Sequence, residues 1–290
     1  MRHSRGERLF YSINYGLLAL AALTCLLPLV NIMAVSFSGS EAILSGQVYW
    51  RPVDFTFRSY RLLLEGTRIM QSLQNSLLIT VFGIALCMLF TFLAAYPLSR
   101  KAFYGRKFFT LAIVFTMIFS SGVIPQYLLI KSLGLIDSYW SVWLPAMISA
   151  YNMLIMKNYF ENLPDELEEA ARIDGAGEFR FIRNIVLPLS VPMMATLALF
   201  YGVALWNTFM TLLMYVNDTT KFNLAVLVQQ MVRSQSLAQD FAIRPEEIQM
   251  ATPEGVKSAG VMVMIIPLLL VYPFVQKYFV KGVMIGAIKG

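Results

Sequence analysis

The sequence predicts an all-α integral membrane protein with six membrane-crossing helices, and three observations predict it. Of the 290 residues, 58% are hydrophobic and only 14% charged, against roughly 25% charged in average soluble domains. Mean hydropathy is +0.63. The apolar residues also come in blocks long enough to cross a bilayer, which takes about 20 residues as a helix. The short alternating segments of a transmembrane barrel do not occur.

In chain order, the expected spans are 12–35, 73–97, 108–130, 139–157, 185–213 and 258–276. They form one permeation domain over 12–280, flanked by an N-terminal segment 1–11 and a C-terminal tail 281–290. The first span follows the basic start MRHSRGER, as a secretory signal would. Its apolar run from Tyr15 to Val35 exceeds the usual 7–15-residue signal core, so an uncleaved span is expected.

Lys and Arg set the orientation. With the N-terminus inside, the inner segments hold Arg2, Arg5 and Arg8; Arg100, Lys101, Arg106 and Lys107; Lys157, Arg172, Arg180 and Arg183; and Lys277, Lys281 and Lys289. These are the majority of the 23 basic residues. The outer ones sit mostly in long loops, where the positive-inside rule is weak, whereas the short 98–107 connection is densely basic. Both termini and the 158–184 segment are therefore expected on the cytoplasmic side. The net charge of +6 follows from topology, and no aromatic-laced basic stripe points to nucleic acid.

Several chemistries lack their parts. His3 is the only histidine, and Cys25 and Cys87 both fall inside apolar spans, where free Cys behaves as a small hydrophobe. Metal sites, disulfide frameworks and Ser-His-Asp catalysis are not supported. No ionisable residue lies well inside a span, apart from Lys157 at an edge, which removes the usual basis for proton coupling. Energy for uphill transport would then have to arrive from outside the bilayer.

The stretch EEAARIDGAGEFRFIRNIVLP, 168–188, offers a place to receive it. Pro164 suits a helix's first turn, and Asp165, Glu166, Glu168 and Glu169 suit the positive end of its dipole. Leu167, Ala170 and Ala171 recur at i, i+3 and i+4 as one narrow apolar face. Gly175 supplies the left-handed position that ends helices. A second helical piece with Phe179, Phe181 and Ile182 leads into the fifth span. The unit reads as a short surface helix, a glycine turn and a helix entering the bilayer; a solvated connector is the competing reading.

Glu169-Ala170-Ala171, three residues, Gly175, nine residues, Ile185, one residue and Leu187-Pro188 together match the EAA signature of ABC importer permeases. The segment therefore resembles the coupling helix of a type I importer permease, placed between helices 4 and 5. The resemblance implies that Glu169, Ala170, Ala171, Asp174, Gly175, Leu187 and Pro188 form the ATPase-coupling set. Within it, Glu169 and Gly175 would hold the geometry while Ala170 and Ala171 pack against the ATPase.

Residues 36–60, 75–81, 124–140 and 281–290 resemble the carbohydrate-uptake branch, its MalG-like half and the LplC/YtcP group. That resemblance implies a heterodimer with a second permease, an ATPase homodimer, an extracytoplasmic binding protein, and an oligosaccharide cargo that includes acidic fragments such as uronates. ATP and Mg would be bound by the partner ATPase. This chain has no cofactor of its own and no Walker A pattern.

The tail ending Ile288-Lys289-Gly290 would reach between the ATPases. The 214–257 loop, with Leu224, Leu227, Val228 and Met231 at helical spacing, would contact the binding protein or rest on the membrane or the permease. Substrate-pathway candidates are the polar and aromatic residues stranded in spans: Asn75, Gln126, Tyr127, Tyr151, Asn152, Tyr201, Trp206 and Asn207. They supply the flat faces and amide partners that sugar pockets use, and they equally suit interhelical hydrogen bonds. No basic residue stands in that pathway to neutralise a uronate. An ABC permease for a non-sugar solute, a secondary transporter and a membrane enzyme are the competing classes.

Overall fold

The computed structural model describes residues 5–119, 121–233 and 251–287. Among them every regular element is helical. Four helices are long and apolar enough to cross a membrane, or five if one bent pair counts as a span.

The chain forms two compact units, one from the described residues of Met1–Met70 and Leu227–Ile266, the other from those of Gln71–Val226 and Pro267–Gly290. In the first unit, α1 (Arg5–Ser36) carries the first apolar span and buries only 6% of its apolar window inside the chain. Such an all-round apolar helix suits lipid or neighbouring subunits. Beyond it lie α2 (Ser40–Leu44) and α3 (Arg58–Gly66). The loop between them is tied to the end of α1: the Asn31 amide donates to Val48 O and Tyr49 O at 3.3 and 2.9 Å. Phe37 stacks on Phe55 and meets Phe57 and Tyr60 edge-on or tilted.

The second unit is organised around α4 (Ile69–Ser99), the second span. The third expected span is α5 (Arg106–Ile118) and α6 (Val123–Ser132), which meet at 116°. Gly122 at φ +81° and Pro125 in the first turn of α6 explain the bend, since glycine admits that φ and proline starts a helix readily.

The fourth expected span is not one helix but two, α7 (Trp140–Ala146) and α8 (Ala150–Glu161). Pro145 removes a donor at the end of α7. Ser149 then starts α8 afresh, its hydroxyl accepting from Asn152 N, an N-cap bond. The loosened backbone is served by neighbours: Ser149 N donates to Tyr201 Oη (3.0 Å), Tyr201 pairs with the Thr91 hydroxyl (2.7 Å), and the Cys87 thiol donates to Ala146 O (3.2 Å).

After α8 come α9 (Asp165–Ile173), α10 (Glu178–Phe181), a π-helical turn Ile182–Val186 and α11 (Leu187–Trp206). The fifth span therefore ends at Trp206, short of the expected 213. The Asn207 amide donates back to Val203 O at 2.8 Å, closing the helix, and α12 (Met210–Tyr215) restarts beyond it. Next is α13 (Leu224–Arg233). Last is α14 (Pro253–Ala287), which carries the sixth span straight through Pro267 and Pro273. Residues 281–287 are thus helical where a tail is expected, and 288–290 lie outside the described residues.

The core of the second unit draws one stripe from each of three helices: Cys87, Ala95 and Tyr96 of α4, Met153, Met156 and Phe160 of α8, and Leu197, Tyr201 and Leu205 of α11. α8 and α11 run antiparallel, since Ser149 meets Tyr201 while the Tyr159 hydroxyl donates to Leu189 O (2.6 Å). Gly83 lets α4 approach this core closely. A Cβ there would stand 2.6 Å from Leu205 Cδ1 and 3.2 Å from the Trp143 ring, which is pinned by its own Nε1 bond to Ile79 O at 3.0 Å. Gly83→Ala should cost about 1–3 kcal/mol through overpacking, lowering the melting temperature of the detergent-solubilised protein. Gly16→Ala, with open space around the added carbon, should leave that temperature unchanged or raise it.

Candidate functional site

The joint over 164–188 is built from local signals. Pro164 precedes α9, whose first turn carries Asp165, Glu166 and Glu168 and whose last turn carries Arg172, complementing the helix dipole at both ends. Gly175 sits at φ +70°. Ala176 N donates to Ala171 O (2.9 Å) and Gly175 N to Arg172 O (3.0 Å), the paired bonds of a Schellman ending.

Gly177 starts α10, and the π turn follows directly. Pro188 explains that turn: lacking an N–H and crowding the carbonyl four residues back, it favours a locally widened helix. Leu187 and Pro188 therefore shape the exit from the joint.

Exposure divides the motif. Glu169, Ala170, Asp174 and Gly175 are exposed, and Glu169 has no hydrogen bond or ion pair among the described residues. Ala171 is 5% exposed and belongs to this chain's own core with Phe160 and Phe181. Of the two alanines expected against a partner, only Ala170 is on an open face of α9; Ala171 is covered by this chain's own side chains. Two apolar residues flank the turn instead: Ile173 and Phe179, 85% and 75% exposed. Sequence reading missed Ile173, although an apolar residue just before a helix-ending glycine at the end of an acidic helix was the available signal.

The basic 98–107 connection grips this joint. Arg100 Nη1 donates to Glu168 Oε2 (3.0 Å), and Glu168 also accepts from Arg172 (2.6 Å). Lys101 pairs with Asp165 (2.8 Å) and Arg106 with Glu161 (3.0 Å), which Lys157 also reaches (2.8 Å). The pairs are unequal. Lys101 and Asp165 are 82% and 71% exposed, Arg100 and Glu168 only 22% and 26%, so solvent screens the first pair far more. Their hydrogen bond nonetheless holds Asp165 below the usual carboxylate range and Lys101 above its own. A cleft of about 480 Å³ opens between the connection and α9, with Glu169 on its wall.

A family model described as "Binding-protein-dependent transport system inner membrane component" matches residues 77–285. The chain belongs to this family. The permease is 43% identical, over 98% of its own length and 99% of the relative's, to the "Polygalacturonan/rhamnogalacturonan transport system permease protein YtcP" of Bacillus subtilis. It is 39% identical to Protein LplC of the same organism, over 100% of this chain and 98% of that one. Its fold matches a chain in the "Crystal structure of a bacterial ABC transporter involved in the import of the acidic polysaccharide alginate", with TM-score 0.89, 33% identity, and coverage of 96% and 99%. It is thus a multi-pass membrane permease of the ABC importer class.

The permease uses several expected pathway residues to hold itself together. Asn75, at the other end of α4, donates to Thr220 O and Phe222 O (2.8 and 2.9 Å), and the adjacent Ser76 hydroxyl accepts from Leu224 N (2.8 Å). Tyr201 serves the α7–α8 break, Tyr127 stacks on Tyr215, and Trp206 and Asn152 are buried. Tyr151 and Asn207 are exposed, and Gln126 lines a separate pocket of about 470 Å³ with Phe119 and Leu129. These eight residues do not converge on one site. Ser149 lies level with Tyr201, and Tyr151 is in the first turn of α8 just beyond, whereas Asn207 follows α11 nearly two turns past Tyr201. The apolar face of α13 is likewise turned inward, with Val228 and Met231 beside Gly260; residues 234–250 of that loop lie outside the described residues.

Asp137 and Lys221 were not singled out by sequence. Asp137, at φ +63°, accepts from Asn217 N, Asp218 N and Lys221 Nζ at 3.1, 3.0 and 2.8 Å. The Lys221 bond, then those amides, hold its carboxyl below the ordinary range. Because the folded value is the lower one, the contribution is complete above the unfolded value of about 3.9 and is lost as pH falls through the depressed one. Asp137→Asn should therefore speed proteolysis of the 216–222 loop at pH 7 and make little difference at the acid end.

Gly175→Ala meets open space but a left-handed φ, so it should cost about 1 kcal/mol. Faster limited proteolysis at 174–178 would report it.

Proposed function

We propose that this permease takes up acidic oligosaccharides, delivered by an extracytoplasmic binding protein and driven by a separate ATPase. The full-length similarity to permeases for polygalacturonan/rhamnogalacturonan and to an alginate importer carries the cargo reading. All three polymers carry uronic acids, which is the chemistry they have in common.

The ATPase, as a pair of subunits binding ATP and Mg, docks on the exposed surface of the joint: Glu169, Ala170, Ile173, Asp174, Gly175 and Phe179. Two exposed apolar side chains around a turn, beside an unpaired carboxylate, suit a partner cleft with an apolar floor and a basic rim. The α9 end of α4 faces the cytoplasm, and both termini lie on that side. Supporting this orientation, Arg100, Lys101 and Arg106 gather at the joint, as the positive-inside rule asks. A second, related permease completes the pathway, to which Tyr151 and Asn207 offer exposed polar groups; membrane lipid covers the remaining apolar faces. Closing of the ATPase pair displaces the joint and rocks the permease between outward- and inward-facing states.

Complex reconstituted in lipid, given loaded binding protein, should show ATP turnover stimulated by uronic-acid oligosaccharides above neutral ones. Equal or greater stimulation by neutral sugars would remove the acidic cargo from the reading, and no response to any sugar would remove carbohydrate. Glu169→Gln should lower the stimulated rate by about tenfold. Ile173→Asp should abolish co-purification of the ATPase, because a charge would be buried in an apolar contact.

A further inference from the structure

The joint is continuous with α8 on one side, through 162–164, and two further routes lead out of it. One follows the chain through α10 and the π turn into α11. The other crosses space to the end of α4, and Arg100 forms it. Its guanidinium binds Glu168 on one side of the Gly175 turn. On the other side it lies 5.5 Å from the centroid of the Phe181 ring, and its third contact is the ring of Tyr96, in the last turn of α4 just before it, at 4.5 Å. The Tyr96 hydroxyl adds a bond to the Glu178 carboxylate. Arg100 Nε and Nη2 are buried with no acceptor among the described residues, so there the cation is balanced by Glu168 and by two ring faces. Separating Glu168 would leave a half-buried charge without its anion, which costs far more than parting an exposed pair.

We propose that Arg100 is the positioning residue through which displacement of the joint reaches α4. It holds α9 and α10 to that helix as one body, so motion need not pass through the widened π turn alone. α4 is anchored about 37 Å away, by the rise of a helix, at Asn75 and Ser76. A push at one end is therefore delivered to the loop 216–224 at the other. The competing role, a cation merely complementing the C-terminal dipole of α4, requires neither Glu168 nor Phe181.

The proposal rests on the import reading for its consequence and not for its geometry, and the test separates the two. Hydrogen exchange of α9 would be followed in the purified full chain. The ratio of sugar-stimulated to basal ATP turnover would be measured in the reconstituted complex. Arg100→Ala and Glu168→Gln should each speed α9 exchange by about tenfold and lower that ratio by about threefold or more. Arg100→Lys should fall between, since an ammonium keeps the charge but loses the planar stacking. The double variant should be no worse than Arg100→Ala alone.

Unchanged α9 exchange in Arg100→Ala, or faster exchange with a wild-type ratio, would overturn the proposal. If Arg100→Ala fails to assemble, Arg100→Lys and Glu168→Gln carry the same comparison. A wild-type complex without sugar response, in a chain whose α9 still loosens on substitution, would overturn the import reading and leave the clamp standing.

Discussion

In a chain this apolar, a backbone group freed where a helix stops must find its partner within the protein, because hydrocarbon offers none. Much of the polar inventory of the second unit meets that constraint. Tyr201, Thr91 and Cys87 serve the break between α7 and α8. Asn207 closes α11, and Asn75, Ser76 and Asp137 hold the 216–224 loop. What these duties leave over is what can act on something else. At the joint the remainder among the described residues is compact: the exposed carboxylates of Glu166, Glu169 and Asp174, one small exposed residue and two exposed apolar knobs around a glycine.

The joint was legible in the sequence because its determinants are local. Proline, a run of acids, a glycine at the right distance and a second proline each act within a few residues, and the structure builds a helix, a left-handed turn and a π turn from them. The first, second and sixth spans were legible for the same reason, since hydropathy is a sum over neighbours. The third and fourth were not, because the same sum averages across a backbone break. Pro145 was visible, but proline does not decide the matter in an apolar helix: α14 continues through Pro267 and Pro273.

Long-range pairings were out of reach. Asn75 and Thr220 are 145 residues apart and Asp137 and Lys221 are 84 apart. A lone Asn in an apolar span reads equally well as a sugar ligand or as a staple. Ala170 and Ala171 pose the converse difficulty, because periodicity groups them on one stripe. The burial of Phe160 and Phe181 beneath the helix splits them, and that tertiary fact is not encoded within the stretch itself.

That split has an evolutionary consequence. Under the proposed docking, two adjacent alanines answer to different polypeptides: Ala171 to its own core, whose volume limits it to a small side chain, and Ala170 to the subunit that covers the outer face of α9. Across homologous importers the two positions should drift under separate constraints, the inner alanine in step with its intramolecular neighbours such as Phe160 and Phe181, the outer one in step with a gene elsewhere.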